Sequence, residues 1–278
     1  MNQNYDKILF GHAGRYGDIC MGVPSFEFLR KITPQSKLLI NIHKTYQDIA
    51  PLFFNNKYID GVFISNEYEN FPDLLDQKNL NNAGIEYVFH PMKPREDEAN
   101  WFTKRHQVID CGFNYGLTEV SEKINLNKWF NVKKTPKTIA FHATPGNYDK
   151  NNKKSFNKQK SQNLVDSIIK MGYVVMQVGS KSDEKLANTV KFDTDFFGSV
   201  VNILGCDLFI GGDSGLTWAL SGYNFPVLAF YGDEYYIRNG INYIRNIQPI
   251  NPNACYLNAN NINNIPNDLI IDKIKSMV

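Results

Sequence analysis

The sequence predicts an α/β protein made of two doubly wound domains that face a cleft. Short apolar runs alternate with segments of helical periodicity along most of the chain. A segment near 127–137 interrupts this alternation, which begins again with the apolar run at Thr138. Residues 205–232 then have the pattern strand, glycine-rich turn, helix and strand, which is typical of a parallel sheet. We therefore assign an N-terminal domain to 1–132 and a C-terminal domain to 133–278.

The first half of the chain alternates predicted strands with predicted helices. The strands are 7–10, 37–42, 61–64 and 86–90, and the helices are 18–31, 46–54, 71–77 and 106–115. The helix 18–31 is assigned from apolar residues such as Phe26 and Leu29, and Arg30 lies in its last turn, where a cation is favourable. A polar stretch, 91–105, follows the fourth strand.

The second half repeats the cycle. The predicted strands are 138–143, 173–178, 206–210 and 227–230, and the predicted helices are 160–171, 183–188, 199–204, 216–221 and 266–278. Gly172 is a good C-terminal cap for the first of these helices. In a two-domain protein of this type, the terminal helix can pack back on the first domain.

Composition limits the class of protein. Hydrophobic residues make up 42% of the chain and charged residues 21%, as in globular proteins. The formal charge of +2 is nearly balanced, so a nucleic-acid partner is not expected. No apolar run approaches a membrane-spanning length, and no signal peptide is recognised. Four widely spaced cysteines without a CxxC pair predict reduced thiols in a cytoplasmic protein, without a metal site.

The segment Gly-Gly-Asp-Ser-Gly at 211–215 predicts an anion site. A strand that ends in this turn and opens a helix leaves unpaired N–H groups at the helix N-terminus. Ligands of parallel α/β sheets bind at the carboxyl ends of the strands. The turn is therefore a candidate site for a phosphate or diphosphate.

The first strand-to-helix turn, 11–18, is glycine-rich but lacks the dinucleotide fingerprint. Ile42, His43 and Lys44 stand where such a fold carries a ribose-binding acid, so no dinucleotide cofactor is expected. Two interpretations of Asp18 stay open. It can be a helix N-cap, or it can be a general base at the carboxyl end of the first strand.

Three further strand-end features of the C-terminal domain carry candidate ligand contacts. His142, Ala143 and Thr144 end its first strand and allow a close approach of the backbone to a ligand. Lys154 belongs to a loop that is either solvated or cationic toward a ligand. Gly179 precedes Glu184, an acid that either binds ribose hydroxyls or favours a helix N-terminus.

Four motifs follow one another in the order seen in one known family. They are Arg15-Tyr16-Gly17-Asp18 with Pro24, His142-Ala143-Thr144 with Lys154-Ser155-Phe156, Gly179-Ser180 with Glu184, and Gly212-Asp213-Ser214-Gly215-Leu216 with Pro226 and Gly232. In these motifs the chain resembles the bacterial heptosyltransferases of glycosyltransferase family 9, which add heptose from ADP-heptose to the lipopolysaccharide core. The last motif is the most specific of the four.

The resemblance implies a GT-B fold of two Rossmann-like domains, with the acceptor on the first and a nucleotide sugar on the second. It implies an inverting transfer of a sugar to a hydroxyl of a glycan or glycolipid. Asp18 would be the base and Lys154 would neutralise the leaving diphosphate. The implied donor contacts are His142, Thr144, Gly179, Glu184, Asp213, Ser214, Gly215, Leu216 and Thr217. The expected acceptor contacts are Arg15, Lys93 and Arg95, although the stretch that carries Lys93 and Arg95 can equally be a solvated loop.

The expected ligand is a nucleotide-diphosphate sugar, ADP-linked as in the family. Fixed N–H dipoles and a lysine can stabilise departing phosphates without a metal, so neither a metal nor a cofactor is expected. The resemblance also leaves room for peripheral contact at the membrane face.

Two departures keep other functions open. Trp218 stands where the family has a histidine, and Phe156 stands where it has a tryptophan. A nucleotide-sugar epimerase of the same fold and a catalytically inactive binding protein are the alternatives. Trp218 can equally be a residue that packs the helix on the sheet.

Overall fold

The computed structural model describes residues 5–10, 15–66, 82, 84–89, 124–144, 154–238, 241–242 and 244–278. The chain divides into two compact units, Met1–Trp129 and Phe130–Val278. Within the described residues, no helix has the length and apolar character needed to cross a membrane. Cys20, Cys206 and Cys255 carry free thiols.

The first unit contains a parallel sheet whose described strands have the order β3-β2-β1-β4. The strands are β1 (Lys7–Phe10), β2 (Lys37–His43), β3 (Gly61–Ser65) and β4 (Tyr87–Phe89). β1 lies between β2 and β4, with Leu9 opposite Leu39 on one side and Val88 on the other. The buried ring of Phe10 packs edge-on against Phe26 at 4.6 Å between centroids. The four strands confirm the sequence prediction to within two residues at each end.

The helices of the first unit differ from the prediction. They are α1 (Tyr16–Met21), α2 (Pro24–Ile32) and a 3-10 helix (Lys44–Phe53). The single helix predicted at 18–31 is wrong, because the chain breaks at Gly22 and Val23, and Pro24 then begins α2. The segment predicted as an α-helix at 46–54 is 3-10 and contains Pro51, which cannot donate an amide hydrogen bond. The helices predicted at 71–77 and 106–115 lie outside the described residues.

The second unit contains a six-stranded parallel sheet with the order β12-β9-β8-β5-β6-β7. Its strands are β5 (Thr138–His142), β6 (Val174–Gln177), β7 (Val190–Lys191), β8 (Leu208–Gly212), β9 (Val227–Gly232) and β12 (Ala254–Ala259). Counted within the unit, this is the order 3-2-1-4-5-6 of doubly wound nucleotide-binding folds. The order reverses between β5 and β8, whose carboxyl ends carry His142 and Gly212.

Helices and a small hairpin complete the second unit. They are α3 (Lys158–Lys170), α4 (Phe196–Gly205), α5 (Gly215–Gly222), α6 (Ile244–Ile247), α7 (Asn267–Met277), and the strands β10 (Ile237–Arg238) and β11 (Ile241–Asn242). The buried Ile270 and Ile274 of α7 belong to the core of this unit, together with Leu164 and Ile168 of α3. The sequence left open that the terminal helix packs on the first domain. Its apolar face is instead buried in the second unit.

Two predictions in this unit are wrong. Residues 183–188 form turns and irregular structure instead of a helix. Gly211 and Gly212 belong to β8 instead of the following turn, and a Cβ added at Gly211 would lie 2.8 Å from the Phe209 ring. The strand β12 was not predicted, because its sequence ACYLNA lies in an asparagine-rich region that gives no clear alternation.

Candidate functional site

Three neighbouring strands of the second sheet bring a set of polar side chains to one edge. Asp213 directly follows β8, Tyr236 follows β9, and Lys154 precedes α3 on the connection from β5. Because β9, β8 and β5 are adjacent and parallel, their carboxyl ends meet at the same edge of the sheet. This edge lies at the reversal of strand order, where doubly wound folds bind their ligands.

Lys154 and Asp213 form a partly buried ion pair. Lys154 Nζ lies 2.7 Å from Asp213 Oδ2, and the two side chains are 21% and 15% exposed. Burial disfavours the charge on Lys154, but the Asp213 carboxylate and Tyr235 favour it by more, so the pKa of Lys154 lies above its ordinary value. The ammonium therefore remains charged at neutral pH.

Two tyrosines surround this ion pair. The ring of Tyr235 lies 4.3 Å from Lys154 Nζ, a cation–π distance. The hydroxyl of Tyr236 donates to Asp213 Oδ2 at 2.8 Å, and Tyr236 is 2% exposed. Burial, and next the charge of Asp213, raise the pKa of Tyr236 well above its ordinary value. Tyr236 is thus a permanent hydrogen-bond donor to Asp213, a contact that the sequence motifs do not predict.

The helix α5 begins beside this cluster. Ser214 is its N-cap, and the hydroxyl of Ser214 accepts from the Thr217 amide at 3.4 Å. The hydroxyl of Thr217 donates to the Gly212 carbonyl at 2.6 Å and is fully buried. The side chains of Ser214 and Thr217 therefore fold the turn, and the buried Leu216 packs in the interior. What this turn offers a ligand is the backbone N–H groups of the first helical turn, beginning at Gly215.

His142 ends β5 at the point where the strand order reverses. Its Nδ1 is inaccessible to solvent and has no hydrogen-bond partner among the described residues. Burial lowers the pKa of His142 to about 4, although the charge of Asp183 opposes this shift. The imidazole is therefore neutral at pH 7. Thr144, two positions further, is half-buried.

Gly179 occupies a backbone conformation that favours glycine. Its φ is +145°, and a Cβ added there would lie 2.1 Å from Asp183 Oδ2 and 3.3 Å from His142 Cδ2. Asp183 accepts hydrogen bonds from both the amide and the hydroxyl of Ser180, at 2.9 Å each. The carboxylate of Asp183 thus closes the loop after β6.

Glu184, the expected ribose contact, points its carboxylate to another partner. Its Oε1 forms an ion pair with Lys158 at the start of α3, and the Glu184 side chain is 65% exposed. An exposed pair of this kind contributes little to stability. The ribose role of Glu184 therefore stays a prediction, and any ligand there must compete with Lys158.

In the first unit, Asp18 is the third residue of α1 and is half-buried. The prediction that Asp18 is the N-cap residue of α1 is wrong, because Arg15 holds that position. Asp18 Oδ2 accepts a hydrogen bond from the Arg15 amide at 2.9 Å. Two residues earlier, the Tyr16 hydroxyl donates to Asp48 Oδ1 at 2.8 Å. The expected acceptor contacts Lys93 and Arg95 lie outside the described residues.

The two residues that depart from the family pattern are both buried. Phe156 is 5% exposed, and its ring centroid lies 4.8 Å from that of Phe230 in the second unit. Trp218 is 3% exposed on α5, as packing of the helix on the sheet would require, and its role stays a prediction. Neither substitution leaves a large side chain at the surface of the candidate site.

In the part of the chain that the structure describes, no three His, Cys, Asp or Glu side chains come together as a metal site would require. The chain has an Asp-x-Asp sequence at 193–195, a pattern that can hold a divalent ion against phosphates. Asp195 caps α4 by accepting from the Gly198 amide at 2.7 Å, and Asp193 lies 3.4 Å from Lys181. Both carboxylates therefore have structural partners.

The architecture is that of the GT-B fold. A glycosyltransferase family 9 structure from Veillonella parvula DSM 2008 matches with a TM-score of 0.73 and 16% identity, over 100% of this chain and 98% of that one. E. coli ADP-heptose lipopolysaccharide heptosyltransferase II matches with a TM-score of 0.68 and 13% identity, over 98% of both chains. E. coli heptosyltransferase WaaC with ADP matches with a TM-score of 0.68 and 12% identity, over 98% of this chain and 100% of that one.

These comparisons confirm the fold that the motifs implied. The likeness covers essentially the whole chain in each case. At 12–16% identity it establishes the fold alone. No protein-family model and no curated protein sequence matches the chain.

Proposed function

We propose that this protein is an inverting, metal-independent glycosyltransferase. It moves a sugar from a nucleotide-diphosphate sugar to a hydroxyl of a glycan or glycolipid acceptor. The observation that carries the proposal is the Lys154–Asp213 pair beside the N-terminus of α5. A cation and a carboxylate next to free helix N–H groups suit the two ends of a sugar diphosphate.

The leaving group is the first chemical problem of the reaction. Glycosyl transfer builds negative charge on the departing diphosphate and positive charge on the sugar ring. Lys154 is a permanent cation, and the N–H groups of α5 are fixed dipoles directed at the same edge. Both stabilise the charge that develops on the phosphates.

The donor sugar is recognised on the other side of the ion pair. When Lys154 is shared with the diphosphate, the Asp213 carboxylate accepts hydrogen bonds from sugar hydroxyls. The neutral imidazole of His142 offers a further acceptor or donor at the end of β5. Gly179, which has no side chain, lets a ligand approach the backbone of the neighbouring loop.

Asp18 is the proposed base that deprotonates the acceptor hydroxyl. The hydroxyl then attacks the anomeric carbon in line with the leaving diphosphate, which inverts the configuration. A carboxylate suits this role because it can accept the proton of the hydroxyl. A positioned base typically accelerates such a step by about 10²–10⁴-fold. Arg15, Lys93 and Arg95 are proposed to bind the acceptor.

We propose ADP as the nucleotide part of the donor. The support is the fold shared with WaaC, whose structure contains ADP, and with the E. coli ADP-heptose heptosyltransferase II. The proposed location is cytoplasmic, with peripheral contact at the membrane face, where a glycolipid acceptor is presented.

Thermal-shift screening tests the nucleotide site. A ligand present at about 100 times its Kd stabilises the native state by about 2.7 kcal/mol, which raises Tm by several degrees. We expect ADP and an ADP-sugar to raise Tm more than GDP or UDP, and Lys154→Ala to abolish most of the shift. Lys170→Ala is the control, because Lys170 is an exposed lysine in the last turn of α3 of the same unit.

Three results would count against parts of this proposal. The absence of a shift with ADP, GDP and UDP would remove the nucleotide site. A shift that survives Lys154→Ala would remove the phosphate role of that lysine. Specific binding without transfer to any acceptor would favour the inactive binding protein.

A further inference from the structure

Asp213 receives two hydrogen bonds on the same carboxylate oxygen. Lys154 Nζ lies at 2.7 Å and the Tyr236 hydroxyl at 2.8 Å, and both contact Oδ2. Among the residues that the structure describes, none bonds to Oδ1 of Asp213. One oxygen is thus held by the protein, and the other is left to accept from a ligand.

Tyr236 is held more firmly than Lys154. Its ring packs against Tyr231 at 5.7 Å and against Tyr235 at 4.8 Å between centroids. It is 2% exposed, whereas the Lys154 side chain is 21% exposed and reaches Asp213 on a flexible stem. A rigid neutral donor and a movable cation therefore share one acceptor.

The geometry points to Tyr236 as a positioning residue for the donor sugar, an inference that rests on the proposed function. When the diphosphate draws Lys154 away, the Tyr236 hydroxyl keeps Asp213 Oδ2 satisfied and prevents the carboxylate from turning. Oδ1 then stays where a sugar hydroxyl can donate to it. The four sequence motifs do not include Tyr236, which lies in the turn that follows β9.

The neighbouring Tyr231 supplies a matched control. Its ring is also buried, at 1% exposure, and its hydroxyl has no hydrogen-bond partner among the described residues. Tyr231→Phe and Tyr236→Phe therefore each remove one buried hydroxyl from the same cluster. Only Tyr236→Phe removes a bond to Asp213.

Calorimetric titration of the full chain with ADP and with ADP-heptose separates these effects. We expect Tyr236→Phe to weaken ADP-heptose binding by about tenfold, as expected for the loss of a hydrogen bond to a charged group. The same variant should leave ADP binding nearly unchanged. Tyr231→Phe should change neither affinity. In an Asp213→Ala background, Tyr236→Phe should have no further effect, because the two residues act as one unit.

The outcomes distinguish this inference from the proposed function. If the wild-type chain binds neither ligand, the proposed function fails and the inference fails with it. If the wild type binds both ligands, four results overturn the inference alone. The first is that Tyr236→Phe weakens the binding of ADP and of ADP-heptose equally, and the second is that it changes both affinities no more than Tyr231→Phe does. The third is that Tyr236→Phe weakens ADP-heptose binding as much in the Asp213→Ala background as in the wild type. The fourth is that the wild type binds ADP-heptose no more tightly than ADP.

Discussion

The carboxylate of Asp18 folds back on the backbone of its own helix by accepting from the Arg15 amide at 2.9 Å. An amide side chain at this position keeps that hydrogen bond, because its oxygen is also an acceptor. The substitution Asp18→Asn therefore separates the structural contact from the proton-accepting function. Few candidate bases allow such a clean separation.

We expect Asp18→Asn to keep the fold and the affinity for the nucleotide sugar, and to lower the rate of transfer by about 10²–10⁴-fold. The rate is measured with a radiolabelled or mass-resolved product, and the affinity by calorimetry. Glu27→Gln is the control, since Glu27 lies on α2 and pairs with Lys31 of the same helix. Turnover that survives in Asp18→Asn would remove the base assignment.

His142 makes the stability of the second unit depend on pH. Its pKa is about 4 in the folded chain because of burial, compared with about 6.5 in an unfolded chain. The unfolded state therefore binds more protons between these values, and stability falls as the pH is lowered from about 6.5 to about 4. The full contribution, about 3–4 kcal/mol at about 1.36 kcal/mol for each pKa unit, is present above this window.

Urea unfolding at pH 7.5, 6, 5 and 4 measures this contribution. We expect His142→Gln to flatten the decline between about pH 6.5 and 4, because glutamine does not titrate. His43→Gln is the control at the end of a strand in the other unit. An unchanged pH dependence in His142→Gln would show that other groups cause the decline.

At the scale of elements, the sequence predicted the strands and helices that hold the site better than their connections. β5, β8, α5 and β9 were predicted because apolar runs and glycine turns are local signals. The break between α1 and α2, the turns at 183–188 and the strand β12 depend on other parts of the chain. The Ala187 amide donates to Gln162 of α3 at 2.8 Å, and β12 is ordered by pairing with β9, with Ala254 opposite Val227.

The same limit applies to the candidate site. Asp213 and Lys154 were predicted from their motifs, and the structure brings them together. Tyr236 was not, because its role depends on β9 lying beside β8, a neighbour relation that no short motif contains. The partner of Glu184 was missed for the same reason, since Lys158 belongs to a different element.

The loop after β6 gives a test at this scale. Gly179→Ala places a Cβ 2.1 Å from a carboxylate oxygen of Asp183 at a φ of +145°. We expect a loss of about 2–3 kcal/mol in the free energy of unfolding, since a strained backbone and a lost loop closure combine. Chemical denaturation measures this loss.

Gly172 is the matched control for that prediction. It has a φ of +87°, but a Cβ added there meets nothing within 4 Å. Gly172→Ala should cost about 1 kcal/mol, from backbone conformation alone. Equal losses in the two variants would show that the contact with Asp183 has no energetic weight.

At the scale of the whole molecule, each unit has its own parallel sheet. The second unit contains a six-stranded sheet and a continuous apolar core, and every described residue assigned to the donor lies in it. The proposed base lies in the first unit. The proposed donor contacts and the proposed base thus belong to different compact units of the chain.

A fragment of residues 130–278 tests this division. We expect it to unfold cooperatively and to bind ADP within about tenfold of the affinity of the full chain, because its core and its diphosphate contacts are internal. Circular dichroism follows the unfolding, and calorimetry the binding. A folded fragment without ADP affinity would place part of the nucleotide site in residues 1–129.

The mutual neutralisation of Lys154 and Asp213 also bears on how a ligand reaches the protein. A salt-linked pair presents a dipole, whose attraction for a distant anion falls off faster than that of a single charge. With a formal charge of only +2 on the chain, little long-range steering adds to it. Nucleotide capture should therefore proceed at an ordinary diffusional rate with weak dependence on ionic strength, and discrimination between ligands should reside in their residence times.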